Sequence, residues 1–156
     1  MTFPHEQPPE RLLTRADASA GAAVAALAAP ELLLFAAGHH RQAGQVLGAH
    51  AAQLDGTAGV RFATWAPAAE AVSVVGDFNG WRPDAHPMHR AEEAGVWQRF
   101  VPGLAAGAQY RLALRTPDGT RVERADPCAG EMAAPGSDVA LVVNEQPYPW
   151  QDEAWI

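Results

Sequence analysis

From Val60 onward the chain alternates with a period of two. Val60-Arg61-Phe62-Ala63-Thr64-Trp65 alternates in side-chain size until Pro67 ends it, and Val72-Ser73-Val74-Val75 is a second apolar run closed by Gly76. Val96 to Val101 forms a third, stopped by Pro102-Gly103. In Ala108 to Arg115, Tyr110, Leu112 and Leu114 fall on one face and Arg111, Ala113 and Arg115 on the other. Val139 to Val143 is the last. Period two with a turn signal after each run predicts strands. The turns are Asp77-Phe78-Asn79-Gly80-Trp81 and Pro117-Asp118-Gly119, rich in the residues that reverse a chain.

Upstream the period is helical or absent. Met1 to about Ala18 is polar and carries Pro4, Pro8 and Pro9, which predicts a disordered tail over 1–18. Residues 19–56 read as a helical lead-in. Ser19 to Ala29 is alanine-dominated, with Asp17 or Ser19 available as N-cap. Pro30 fits the first turn of a second helix through Phe35, and Gly38 is a natural stop. The sandwich itself is expected over 57–144. Asn144 to Ile156 carries Pro147, Tyr148, Pro149, Trp150 and Trp155 and reads as an irregular segment that packs on something else. The expected fold class is therefore all-β: an antiparallel β-sandwich with a short helical amino-terminal lead-in.

Composition bounds the function. Of 156 residues 34 are alanine, so the 48% hydrophobic content supports one modest core. A (β/α)₈ barrel, which needs roughly 200–250 residues, does not fit. The net charge of −7, with no basic cluster, gives no electrostatic reason to bind nucleic acid or anionic lipid. All eleven cations are arginine. With Cys128 alone, no intrachain disulfide forms, which fits a cytoplasmic setting. No apolar run reaches membrane-spanning length, and Met1–Glu10 lacks the Lys or Arg of a signal peptide.

The chemistry is sparse. There is no nucleophile elbow, P-loop or dinucleotide-binding glycine run, and a lone cysteine suits no zinc spacing. His39 and His40 are adjacent, so on a helix they diverge by about 100°. Neither a metal, a cofactor nor a catalytic residue is expected. The aromatic residues remain. Trp81 follows Asn79-Gly80 in a turn; there it either stacks on the flat C–H face of a sugar, with amides and guanidinium groups bonding the hydroxyls, or folds back onto the sandwich edge. Trp65 and Trp97 lie in strands, where core or inter-sheet packing is expected.

The run Val60 to Pro67, followed by Val72-Ser73-Val74-Val75-Gly76-Asp77-Phe78-Asn79-Gly80-Trp81, resembles the family 48 carbohydrate-binding module. Further matches are His86-Pro87-Met88, Gly95-Val96-Trp97, Tyr110-Arg111, Pro117-Asp118-Gly119 and Ala125-Asp126-Pro127. The flanks, Leu34-Phe35 to His50 and Tyr148-Pro149-Trp150 to Trp155, are similar to the lead-in and exit of this module in bacterial 1,4-α-glucan branching enzymes.

The resemblance implies an immunoglobulin-like sandwich that contacts α-1,4-glucan, such as glycogen or a maltooligosaccharide, and packs against a family 13 glycoside hydrolase barrel in cis or in trans. The barrel's catalytic segments are not in this sequence, so an amino-terminal, non-catalytic piece is expected, with residues 145–156 as the linker toward the barrel. The alternative is a structural domain that buttresses the barrel and binds little sugar. The implied carbohydrate-binding residues are Trp81, Arg111, Asn79 and Trp97. Arg121 stands where sugar-binding relatives carry a second tryptophan, and Val139 falls where they carry an asparagine. Gly44 and Cys128 replace aromatic residues of the pattern.

Overall fold

The computed structural model describes Leu27, residues 29–91 and residues 94–144. The expected tail over 1–18, nearly all of the first helix, the Glu92-Glu93 turn and the segment 145–156 lie outside the described residues.

The second expected helix forms as α1 (Ala29–Ala36), with Pro30 and Glu31 in its first turn. Gly38, at φ +70°, stops it. Its N–H donates to Phe35 O at 3.0 Å and that of His39 to Leu34 O at 2.9 Å, the paired closure that a left-handed residue permits. A one-turn helix, α2 (Ala43–Val46), follows.

The lead-in then departs from expectation. Gly48–Leu54 is a strand, β1, and not a continuation of a helical segment to residue 56. It pairs antiparallel with β2 (Thr57–Trp65) through a two-residue turn at Asp55 (φ +49°) and Gly56 (φ +78°). Asp-Gly is the dipeptide such a hairpin favours, because both central residues need positive φ. Gly48, Ala49, Ala51 and Ala52 are too small to show an alternation, which hid the strand.

The remaining strands are β3 (Ala71–Gly76), β4 (His89–Ala91), β5 (Val96–Pro102), β6 (Gln109–Arg115), β7 (Arg121–Arg124), β8 (Glu131–Met132) and β9 (Ala140–Leu141). They form two antiparallel sheets, one in the order β1-β2-β5-β4, the other β3-β6-β9-β8 with β7 also on β6. The expected last strand over Val139–Val143 shrinks to two residues, and β4, β7 and β8 were not foreseen.

The core lies between the sheets. Val60, Phe62, Trp97 and Val101 from the first meet Val72, Val74, Tyr110 and Leu112 from the second. Phe62 and Tyr110 pack edge to face with centroids 4.9 Å apart, a favoured aromatic geometry. The Tyr110 hydroxyl donates to Asp126 Oδ2 at 2.7 Å, and Cys128 N–H donates to Asp126 Oδ1 at 2.9 Å. Burial holds both the tyrosine and the Asp126 carboxyl above their ordinary pKa values.

The first sheet is covered on its outer side too. Leu27, Leu47, Ala63, Ala94 and Val96 form a second cluster, with Leu32 and Phe35 of α1 packed on it. Trp65, expected in packing, ends β2 with 55% of its surface exposed. Its ring N–H donates to Ala94 O. The outer side of the second sheet carries Arg111, opposite Val75.

Candidate functional site

β3 ends at Gly76, where the chain must turn within one residue. A Cβ there would lie 2.2 Å from Gln109 O on β6, so only glycine fits. A 3₁₀ turn over Asp77–Asn79 follows, then Gly80 at φ +64° and Trp81 at φ +60°. Gly80 takes the left-handed conformation without penalty. Trp81 pays roughly 1–2 kcal/mol for it. A bulky residue kept in this region is a strain that its surroundings must overcome.

Asn79 supplies the restraint. It is 7% exposed, and each polar side-chain atom is used inward. Its Oδ1 accepts from Gly76 N–H at 3.0 Å, and its Nδ2 donates to Val74 O at 3.0 Å and to His86 Nδ1 at 2.8 Å. Trp81 N–H donates back to Gly76 O at 2.9 Å, and Arg82 Nε to Asn79 O at 3.2 Å. Because His86 Nδ1 accepts, the ring is neutral here. Burial, aided by the Arg99 charge, holds its pKa below the ordinary value.

The turn sets the half-buried Trp81 ring beside Arg111 of β6. Arg111 pairs with Val75 across the ladder and points away from the core. Its guanidinium carbon lies 5.5 Å from the indole centroid, within cation–π range. Its Nη1 donates to Glu123 Oε2 at 3.1 Å and its Nη2 to Asp138 Oδ1 at 2.8 Å. The Arg111 guanidinium is therefore held by two carboxylates, because β7 and the loop before β9 bring acids to the same side of the sheet. The result is an aromatic face over a fixed cation, flanked by two partly exposed carboxylates. Such a group offers stacking to C–H surface and acceptors to hydroxyls.

Of the four expected binding residues, the structure brings Trp81 and Arg111 together, with Asn79 beneath as their support. It does not bring Trp97 to them. Trp97 is 6% exposed in the core, its ring N–H donating to Ala66 O at 2.9 Å. Arg121, at the expected place of a second platform, is exposed on β7. Glu123 and Asp138 were not foreseen. Glu123 could have been found from the alternation Arg121-Val122-Glu123-Arg124; Asp138, in an irregular loop, left no signal. His40 is structural, stacked on Phe35 and bonded to Glu31. Among the described residues no group of three His, Cys, Asp or Glu could hold a metal, and no helix is long and apolar enough to cross a membrane.

Comparison with known proteins identifies the lineage. The family Carbohydrate-binding module 48 (isoamylase N-terminal domain) matches residues 46–129, more than half of the chain. The chain belongs to this family. Its range opens just before β1, so the unforeseen strand is part of the family's fold. Among curated relatives of this module, the 1,4-alpha-glucan branching enzyme GlgB of Bordetella bronchiseptica is 47% identical over 130 residues, covering 83% of this chain and 18% of that protein. GlgB of Burkholderia thailandensis is 47% identical over 79% of this chain and 15% of that protein. The chain thus spans less than a fifth of the length of these relatives. Among solved structures, ligand-free PulA from Klebsiella pneumoniae superposes with a TM-score of 0.52 at 27% identity, over 80% of this chain and 10% of that one. The pullulanase of Bacillus acidopullulyticus does so with a TM-score of 0.51 at 21% identity, over 63% and 12%, a likeness of fold. The module is an immunoglobulin-like all-β sandwich.

Proposed function

We propose that this module binds α-1,4-glucan at Trp81 and that it serves a 1,4-α-glucan branching enzyme of the glycoside hydrolase family 13 type, as its amino-terminal part and without supplying a catalytic group. The observation that carries the reading is the Trp81 turn. A large aromatic ring is held in a strained backbone conformation outside the core, over an arginine fixed by two acids. A packing residue does not need that strain; a preformed platform does. The indole takes the C–H face of a glucose unit while Glu123 and Asp138 accept hydroxyl protons. Tethering of this kind raises the local concentration of polymer at a catalytic site without new chemistry. A role in glycogen synthesis implies a cytoplasmic location.

One observation favours a second role as a buttress for the catalytic barrel. Trp65, Leu33 and Leu34 are 55%, 61% and 43% exposed. All three suit cover by another domain.

Titration of maltoheptaose and of cellohexaose into the 156-residue chain, followed by tryptophan fluorescence, tests the primary reading. With one platform, a Kd on the order of 0.1–1 mM is expected for maltoheptaose, and none measurable for cellohexaose. Equal response to both, or to neither, contradicts it.

A further inference from the structure

A sheet edge presents a row of backbone N–H and C=O groups, and folded proteins keep such rows short, charged or covered. Most edges of this molecule follow that rule. β4 spans three residues and carries His89 and Arg90, β8 spans two, and β7 spans four with Arg121, Glu123 and Arg124 among them. β3 is covered by the segment around Pro87: Val74 N–H donates to His86 O at 3.1 Å, and Met88 N–H to Val72 O at 2.8 Å. β1 is the exception. It is the end strand of the first sheet and runs seven residues without Lys, Arg, Asp, Glu or Pro. Among the described residues no segment pairs with its outer side. We propose that β1 is an interaction surface for a second copy of this chain, whose own β1 adds antiparallel across a two-fold axis at Ala51.

The hairpin fixes which groups face outward. A two-residue turn closes on a hydrogen-bonded pair, here Leu54 and Thr57. Such pairs recur at every second residue, so Ala52 bonds Gly59 in this way and His50 bonds Arg61. The backbone groups of Ala49, Ala51 and Gln53 then point away from β2. The far side of β2 has the matching phase. Ala58 O, next to Thr57 and Gly59, turns the other way and accepts from Gly103 N–H at 2.9 Å.

The register argues for a second copy as the occupant. With Ala51 opposite Ala51, Ala49 meets Gln53, His50 meets Ala52 and Gly48 meets Leu54. Each larger side chain lies against Gly or Ala, and no charge lies against a like charge. The outward residues of one copy fall opposite those of the other, which gives about six cross-strand hydrogen bonds. The contact is isologous, so it closes as a dimer and uses both β1 edges. Room is available as well. Ala51 and Gln53 share the core face with Ala49 yet are exposed. They border an apolar groove of about 490 Å³, lined also by Val60, Leu104 and Val142. This open end of the sandwich accommodates the core-facing side chains of an added strand.

The test is sedimentation equilibrium of the full chain from micromolar to millimolar concentration, with each variant checked by thermal melting. The mass is expected to rise from 16.5 kDa toward twice that value. Ala51→Pro removes an outward N–H from each copy and no bond to β2. It is expected to raise the dissociation constant about tenfold or more. Ala51→Lys sets two ammonium groups opposite each other and is expected to raise it about fivefold; it sits at an exposed position and decides the matter if Ala51→Pro fails to fold. In a Cys128→Ser background, Ala51→Cys is expected to cross-link through a short bismaleimide, and Asp55→Cys, at the far end of the hairpin, is not. A parent that stays monomeric throughout, a dimer unmoved by the folded Ala51 variants, or equal cross-linking at both positions overturns the proposal. None of these readouts depends on sugar binding.

Discussion

Two tryptophans of this molecule each lie against an arginine. Arg111 is 5.5 Å from the Trp81 centroid, and Arg90 is 5.8 Å from that of Trp97. The pairs look alike in distance and differ in everything else. Trp97 sits in β5 with ordinary strand geometry, 6% exposed, its N–H satisfied by Ala66 O. Trp81 sits in a turn at φ +60°, half-buried, on the outer side of the opposite sheet. A cation over an indole therefore does not mark a site by itself. The distinguishing marks are backbone strain at the ring, the buried Asn79 that enforces it, and the two acids that fix the arginine. Trp97 lies in the core, whereas Trp81 lies half-buried outside it, against Arg111.

The largest effect that this difference predicts is on stability. Trp97→Ala is expected to cost about 3–5 kcal/mol, the range for deleting a buried large aromatic ring, read as a fall in the midpoint of urea unfolding. A loss below about 1 kcal/mol would place Trp97 outside the core, since surface substitutions are that mild. Trp81→Gly is expected to stay within about 1 kcal/mol of the parent, because glycine relieves the left-handed strain while the cation–π contact is lost. It should nonetheless abolish measurable maltoheptaose binding. A large destabilisation would make Trp81 a packing residue.

The smallest expected effect is a pH dependence of the Trp81 turn. His86 must be neutral to accept from Asn79 Nδ2, and its folded pKa lies below the ordinary 6.5. A depressed histidine contributes stability that is fully present above the unfolded value of about 6.5 and is lost as pH falls through the lower folded value. Melting temperature is therefore expected to fall between neutral and mildly acidic pH, and glucan affinity with it. His86→Gln, which retains hydrogen-bonding capacity without the titration, is expected to flatten that part of the profile. An unchanged profile would mean that His86 does not govern the turn.

Strands with strong size contrast were legible in the chain. β3, β5 and β6 match the sequence pattern to within a residue at each end, and β2 matches at its end but starts three residues earlier, because Val, Phe, Tyr and Leu alternate there with smaller or charged residues. β1 was missed although Asp55-Gly56 is a hairpin signal, because its alanines carry no contrast. β4, β7 and β8 span two to four residues at sheet edges, where pairing rather than pattern defines a strand. At the site, Trp81 was legible from its Asn-Gly turn and Arg111 from its position out of phase with Tyr110. Trp97 was equally aromatic and could be set apart only by which face of β5 turns inward. Of the two acids on Arg111, Glu123 follows from the alternation in β7, whereas Asp138 lies in a loop 27 residues downstream of Arg111 that local spacing does not place.

The most direct test of the account compares the parent chain with Trp81→Ala in parallel titrations with maltoheptaose and parallel thermal melts. Binding by the parent with a Kd on the order of 0.1–1 mM is expected, with a loss of about tenfold or more in the variant and melting temperatures within a few degrees of each other. A variant that binds maltoheptaose as the parent does, with its fold intact, would contradict it.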